Sequence, residues 1–228
     1  MRKLLIAVVV LAVLLVAADR ISRYVAQRKL ASRVAAAYHL ARPPTVTITG
    51  FPFLTQVIAG RYHEVGVAIS LLNSGGVAMK DVQARFTGVH APMTQLLGSD
   101  ASAVTAEYAT ATAMLLFETV QQRLPAGITL SADGDRLRLS GNLGYQGLQV
   151  PVSAGVALRV TSAAIEVSPR DVKVGGALSM PSLVGSRLAI ALPVHDLPMQ
   201  LKVRTVQVTP DGFAVNASAG GVELENGG

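Results

Sequence analysis

Gly50-Phe51-Pro52-Phe53-Leu54-Thr55-Gln56-Val57-Ile58-Ala59-Gly60 gathers five large apolar side chains, one just before a proline and four between it and a glycine. Pro52 can take the first helical position, where its missing N–H would have no partner anyway, and Gly60 can take the left-handed conformation that closes a helix. The segment predicts a two-turn helix carrying Phe51, Phe53, Leu54, Val57 and Ile58. Side chains of this size are costly to leave in water, and two destinations stand open for the Phe51/Phe53 cluster: ordinary core packing or contact with a lipid. Strand-like Val46-Thr47-Ile48-Thr49 precedes the helix, and a strand-like run from Tyr62 to Leu71 follows it.

Beyond Pro43-Pro44 the pattern turns to period two. Ile128 to Leu130, Arg136 to Leu139, Val150 to Val160, Lys202 to Thr209 and Phe213 to Ala219 alternate apolar with polar or small residues, as half-buried antiparallel strands do. Turn signals separate them at Asp133-Gly134, Ser168-Pro169-Arg170-Asp171 and Pro210-Asp211-Gly212. Residues 165–174 align without gaps on residues 206–215, which reads as a weak repeat or as two unrelated hairpins with one turn solution. Ala111 to Leu124 places Ala113, Leu116, Phe117, Val120 and Leu124 on one helical face and predicts a second helix, ending before Pro125. Pro92 to Gly98, with Leu96 and Leu97, is a shorter echo of the opening segment. The body, residues 43–228, reads as one domain, because no low-complexity linker divides it.

The interior must be aliphatic. Half of the 228 residues are apolar, 4% are aromatic and Trp is absent, so Val, Leu, Ile and Ala build it, with a surplus that could line a cavity, meet a membrane or lie on the surface. The net charge of +6 is concentrated in residues 1–42, which carry eight basic residues against Asp19 and sum to +7; the remainder sums to −1. A body so nearly neutral offers no basic patch for nucleic acid. Arg2-Lys3 followed by an apolar run from Leu4 to Ala18 matches an export signal, residues 1–18, with a cut after Ala18; a retained membrane anchor is the other reading. The basic residues after the run oppose the usual charge bias of an exported segment. Residues 19–42 predict a basic helix with Ile21, Tyr24, Val25, Ala31, Ala35 and Tyr38 on one arc. That arc either packs on the domain or lies on an anionic membrane surface.

Catalytic patterns are missing from the sequence. There is no Gly-x-Ser-x-Gly, Ser-x-x-Lys, His-Glu-x-x-His or Gly-rich phosphate loop, and zero cysteines remove disulfides, thiolate metal sites and thiol nucleophiles. His39, His63, His90 and His195 are dispersed. His195 and Asp196 are adjacent on an extended chain and point apart, so they do not form a base and its orienter. Asp133 with Asp135 and Glu223 with Glu225 read as solvated charge. No enzyme, no metal and no cofactor is expected.

The Phe-Pro-Phe-Leu-Thr-Gln segment, the helical pattern near 111–124, the Asp133-Gly134 hairpin, Asp196-Leu197-Pro198 before a strand and the Asp211-Gly212 turn together resemble the LmeA-like family of actinobacterial envelope proteins, over about residues 20–225. The resemblance implies an α+β fold similar to tubular lipid-binding proteins: a long, curved antiparallel sheet wrapped on one or two helices around an apolar groove, preceded by the hydrophobic N-terminal helix. It implies an exported, periplasmic or envelope-located, non-catalytic phospholipid carrier or sensor that supports envelope glycolipid assembly. Acyl chains are expected against Leu116, Phe117 and Val120. Phe51, Phe53, Leu54, Val57, Ile58, Leu96 and Leu97 are expected to form a lip at the bilayer, with Arg61 and His63 near the headgroup. The rival is a membrane-tethered domain with a filled core that docks another envelope protein.

Overall fold

In a computed structural model, the structure describes residues 1–74, 77–92, 104–134, 136–145, 148–161, 164–175, 188–193 and 198–223. The α+β, mostly strand architecture expected from the sequence is present, with an apolar N-terminal helix and two antiparallel sheets. Helix α1 covers Arg2–Ala37, followed by β1 (Thr45–Thr49), α2 (Phe53–Ala59), β2 (Arg61–Ser74), β3 (Val77–His90), β4 (Thr105–Leu116) and the short α3 (Phe117–Gln121). Then come β5 (Ile128–Asp133), β6 (Arg136–Tyr145), β7 (Leu148–Val160), β8 (Ala164–Val174), β9 (Ile190–Pro193), β10 (Lys202–Thr209) and β11 (Gly212–Glu223). One sheet has the order β1-β2-β3-β4-β11-β10 and the other β5-β6-β7-β8-β9.

The chain divides into two compact units. The first holds residues 1–70, 83–110 and 219–228. Here α1 packs on β1 and α2, and Val46, Ile48, Phe53, Val57, Tyr62, Phe86 and Val89 are buried. Alternation in β1 follows the sequence: Val46 and Ile48 point inward, Thr45, Thr47 and Thr49 outward. The second unit holds residues 71–82 and 111–218. Its core joins Ile128, Leu130, Leu137, Leu139, Val152 and Ile165 to Leu115, Val120 and Phe213, with the Phe117 and Phe213 rings meeting edge to face at 5.1 Å.

Three expectations change. The helix expected over 111–124 is a strand as far as Leu116, and only Phe117–Gln121 is helical. The alternating Thr-Ala-Thr-Ala of residues 110–113 has strand period, and β4 is a central strand whose backbone groups are taken up by β3 and β11; of the expected helical face only Phe117 and Val120 fall on the helix. The turn expected at Ser168–Asp171 is instead a bulge inside β8, opposite Ser153/Gly155, with Asp171 at φ 51°. Its aligned counterpart at Thr209–Gly212 is a true hairpin between β10 and β11, so the apparent repeat has two different structures. The Asp133–Arg136 hairpin stands where expected. The apolar arc of α1, for which two readings stood open, divides: Ala31 is buried and Ala35 half-buried, Ile21, Tyr24, Val25 and Tyr38 are exposed, and Asp19 faces the body.

Asp19 is the reason. Helix α2 begins at Phe53 with Pro52 in extended conformation at its N-cap, one position earlier than expected, and no side chain of its own segment caps it. The Asp19 carboxylate, 3% exposed, accepts the Leu54 N–H at 2.8 Å and supplies the cap from 35 residues away. At the other end Gly60 closes α2 in the left-handed region, φ 64°, as the sequence predicts. Asp19→Ala is expected to cost about 1 kcal/mol, the usual worth of a helix cap, and to loosen α1 from α2. Denaturant unfolding and limited proteolysis between residues 19 and 42 check both parts.

Candidate functional site

The first candidate region is the corner built by α2 and the start of β2. Phe53 and Val57 are buried, Leu54 is half-buried, and Phe51 and Ile58 are exposed, at 62% and 84%. The segment expected as a single apolar cluster is thus split, with one side serving the core and the other facing out. Arg61 and His63 are exposed on β2, flanking the buried Tyr62, because successive strand residues alternate faces. Gln56, 6% exposed, accepts the His63 N–H at 3.1 Å through its Oε1. Gly50, at φ 105°, leaves room for that amide; a Cβ there would lie 2.6 Å from Gln56 Nε2.

Two buried polar atoms in this corner have no partner among the described residues, Gln56 Nε2 and the Tyr62 hydroxyl. The Tyr62 ring lies 6.3 Å from that of Phe53. Burial pushes the Tyr62 phenol above its ordinary value of 10.0.

The second region lies in the second unit, where β10 comes against β7. An open groove of about 500 Å³ is lined there by Leu137, Val156, Leu158, Val206 and Val208, with Arg136 and Gln207 beside them. Leu137 is buried and forms the floor; the two residues of β7 and the two valines of β10 are half-buried, and Arg136 and Gln207 are exposed. Val156 sits opposite Leu137 in the β6–β7 ladder, so floor and wall share one face. This is an aliphatic trough with one cation and one amide at its margin, the composition of a site for a chain-like apolar ligand with a polar end. A somewhat larger depression, about 600 Å³, is lined by Pro125, Ala126, Gly127, Asn142, Leu143, Gly144 and Gln149. Leu143 is its one large aliphatic residue and is itself buried.

The remaining expected site residues are distributed. Leu116 ends β4, Phe117 opens α3 against Phe213, and Val120 is wholly buried in the core of the second unit. Leu96 and Leu97 lie outside the described residues, as do His195 and Asp196. The sequence reading missed the groove residues, although the alternation through Val156, Leu158, Val206 and Val208 was visible; strand period shows which residues share a face and leaves open which faces stay uncovered. It also missed Gln121. That amide accepts the Leu130 N–H at 2.8 Å and donates to the Ile128 carbonyl, tying α3 to β5. Among the described residues no group of three or more His, Asp or Glu side chains is placed to hold a metal. The exposed Arg138–Asp133 pair at 3.3 Å is of the kind that contributes little.

Tyr62→Phe is expected to stabilise the protein by about 1 kcal/mol at neutral pH, since it removes a buried hydroxyl that has no partner and keeps the ring. The folded state favours the neutral phenol, so the wild type's relative stability is full below pH 10.0 and falls as pH rises past that value. The Phe variant lacks that alkaline loss, which thermal unfolding across pH 8–11 measures.

No curated protein and no solved structure matches the chain. The model of the LmeA-like phospholipid-binding family matches residues 17–218, which take in both units, α2 and the groove. The chain belongs to the LmeA-like phospholipid-binding family.

Proposed function

We propose that the protein is a non-catalytic phospholipid carrier or sensor of the cell envelope, with acyl chain held in the groove between β7 and β10. The observation that carries this reading is the half-buried row Val156, Leu158, Val206 and Val208 over the Leu137 floor, in a chain whose family binds phospholipid. Covering a methylene is worth about 0.8 kcal/mol, so a trough of this kind holds an acyl chain without a strong polar anchor. Arg136 at its margin can meet a lipid phosphate, and Gln207 can donate to an ester or phosphate oxygen. Export to the envelope is supported by α1, which is long and apolar enough to cross a membrane and reaches a mean hydropathy of 2.7. A role in glycolipid assembly would follow from handing phospholipid to membrane enzymes.

A filled core that docks another envelope protein is the competing reading, favoured by the tight burial of Leu137, Leu139 and Ile128 at 1–2% exposure. Native mass spectrometry with lipid extraction on the full chain separates the two. A stoichiometric two-chain lipid in the wild type, lost by more than tenfold in Leu158→Asp and in Val206→Asp while circular dichroism is unchanged, is the expected result. A lipid-free wild type that also takes no lipid from vesicles would refute the carrier.

A further inference from the structure

Phe51, just before α2, and Ile58, in its last turn, are 62% and 84% exposed, in the unit where α1 packs on α2. The two helices are held at one level by the Asp19 carboxylate on the Leu54 N–H at 2.8 Å, and Arg20, the next residue, lies over the Phe51 ring at 5.8 Å. The apolar run of α1 ends at Ala18. Thus the level at which α1 would leave a bilayer is also the level of Phe51 and the first turn of α2.

Length sharpens the coincidence. Leu4 to Ala18 is 15 residues, about 22 Å of helix at 1.5 Å per residue, against a hydrocarbon core of about 30 Å. The uncharged run alone is therefore shorter than the core, although α1 as a whole is long enough to cross, so the last part of the span falls to the residues just past Ala18 and to neighbouring apolar surface. Phe51 stands at the end where the shortfall falls, under Arg20, and Ile58 is the other exposed large apolar side chain of this segment. Tyr24, 53% exposed, with Arg28 over its ring at 4.7 Å, follows within two turns of α1. Aromatic rings paired with cations suit the headgroup layer. Charge agrees: Arg20, Arg23, Arg28 and Lys29 follow the run within eleven residues, whereas residues 43–228 sum to −1.

We infer that α1 is retained as a membrane span and that the outward side of α2, through Phe51 and Ile58, is seated in the headgroup–acyl boundary of an anionic bilayer, with Arg20 and Arg23 toward lipid phosphates. The inference uses the reading of α1 as an anchor and adds a second, noncovalent foot to it. It does not require that the groove carry lipid.

The absence of Trp makes the test direct, because Ile58→Trp puts one indole on an open surface position. The full-length variant is reconstituted into vesicles of phosphatidylcholine alone and of phosphatidylcholine with phosphatidylglycerol. Spin labels are placed on acyl carbon 5 or carbon 12. The expected result is a blue-shifted emission quenched at least twofold more by the shallow label than by the deep one, and more strongly in the anionic vesicles. Adding Arg20→Gln and Arg23→Gln should bring the anionic vesicles down to the neutral level. Phe51→Trp should repeat the pattern. Water-like emission that neither label quenches would overturn the proposal, as would quenching already complete at one labelled lipid per chain, which would assign Ile58 to a bound lipid instead of the bilayer. N-terminal sequencing that finds Asp19 as the first residue of the protein in its native membrane would also overturn it. Lipid retention by the same preparation, measured by extraction, reports on the carrier reading separately.

Discussion

The carboxylate of Asp19 on the amide of Leu54 is the contact on which the organisation of the first unit turns. Helix α2 has seven residues, well below the length at which a helix holds itself in water, and its own segment supplies no side-chain cap. A buried carboxylate is in turn expensive unless hydrogen-bonded. Each group answers the other's deficit. The contact sets the height of α2 along α1 and turns Phe53 and Val57 inward over Tyr62. It also leaves the opposite side of α2 uncovered. Helix α1, whose apolar arc had two destinations open in the sequence, buries Asp19 and Ala31, and its larger apolar side chains are exposed.

What the sequence made legible divides along physical lines. Strand period and turn chemistry are local, and Asp133-Gly134, Pro210-Asp211-Gly212 and the Gly60 helix stop were read correctly because each needs only its own neighbours. The stretch 111–124 differs from its helical spacing because the deciding term is non-local: the pair of strands on either side of β4. Ser168–Asp171 looked like Thr209–Gly212 by composition, yet one bends a strand and the other reverses the chain; partner strands make that difference. The Asp19 cap and the Gln121 bridge join residues that no local pattern links. Of the candidate site, the apolar corner at 51–60 was visible as a cost to be met somewhere, whereas the groove arises from which strand faces stay unpacked.

On the proposed reading, membership of a phospholipid-binding family and the shape of the groove would bear on different parts of one ligand. Family identity speaks to a molecule with a phosphate and acyl chains. The trough is aliphatic for most of its lining and polar only at Arg136 and Gln207, which favours recognition by chain burial over recognition by a dedicated headgroup cage. Such a site discriminates weakly among lipids whose chains are alike, since few polar contacts are available to be lost when a headgroup changes.

The Gln121 side chain occupies hydrogen-bonding groups along β5, a strand at the edge of its sheet. An edge of this kind, in a chain made mostly of strands and rich in Val and Ala, is a template for pairing with another copy. By presenting an amide that both donates and accepts, Gln121 imitates the next strand for the length of one pair and leaves an incoming chain without a place to begin. The short helix α3 thus shields one donor–acceptor pair of the β5 edge through a single side chain.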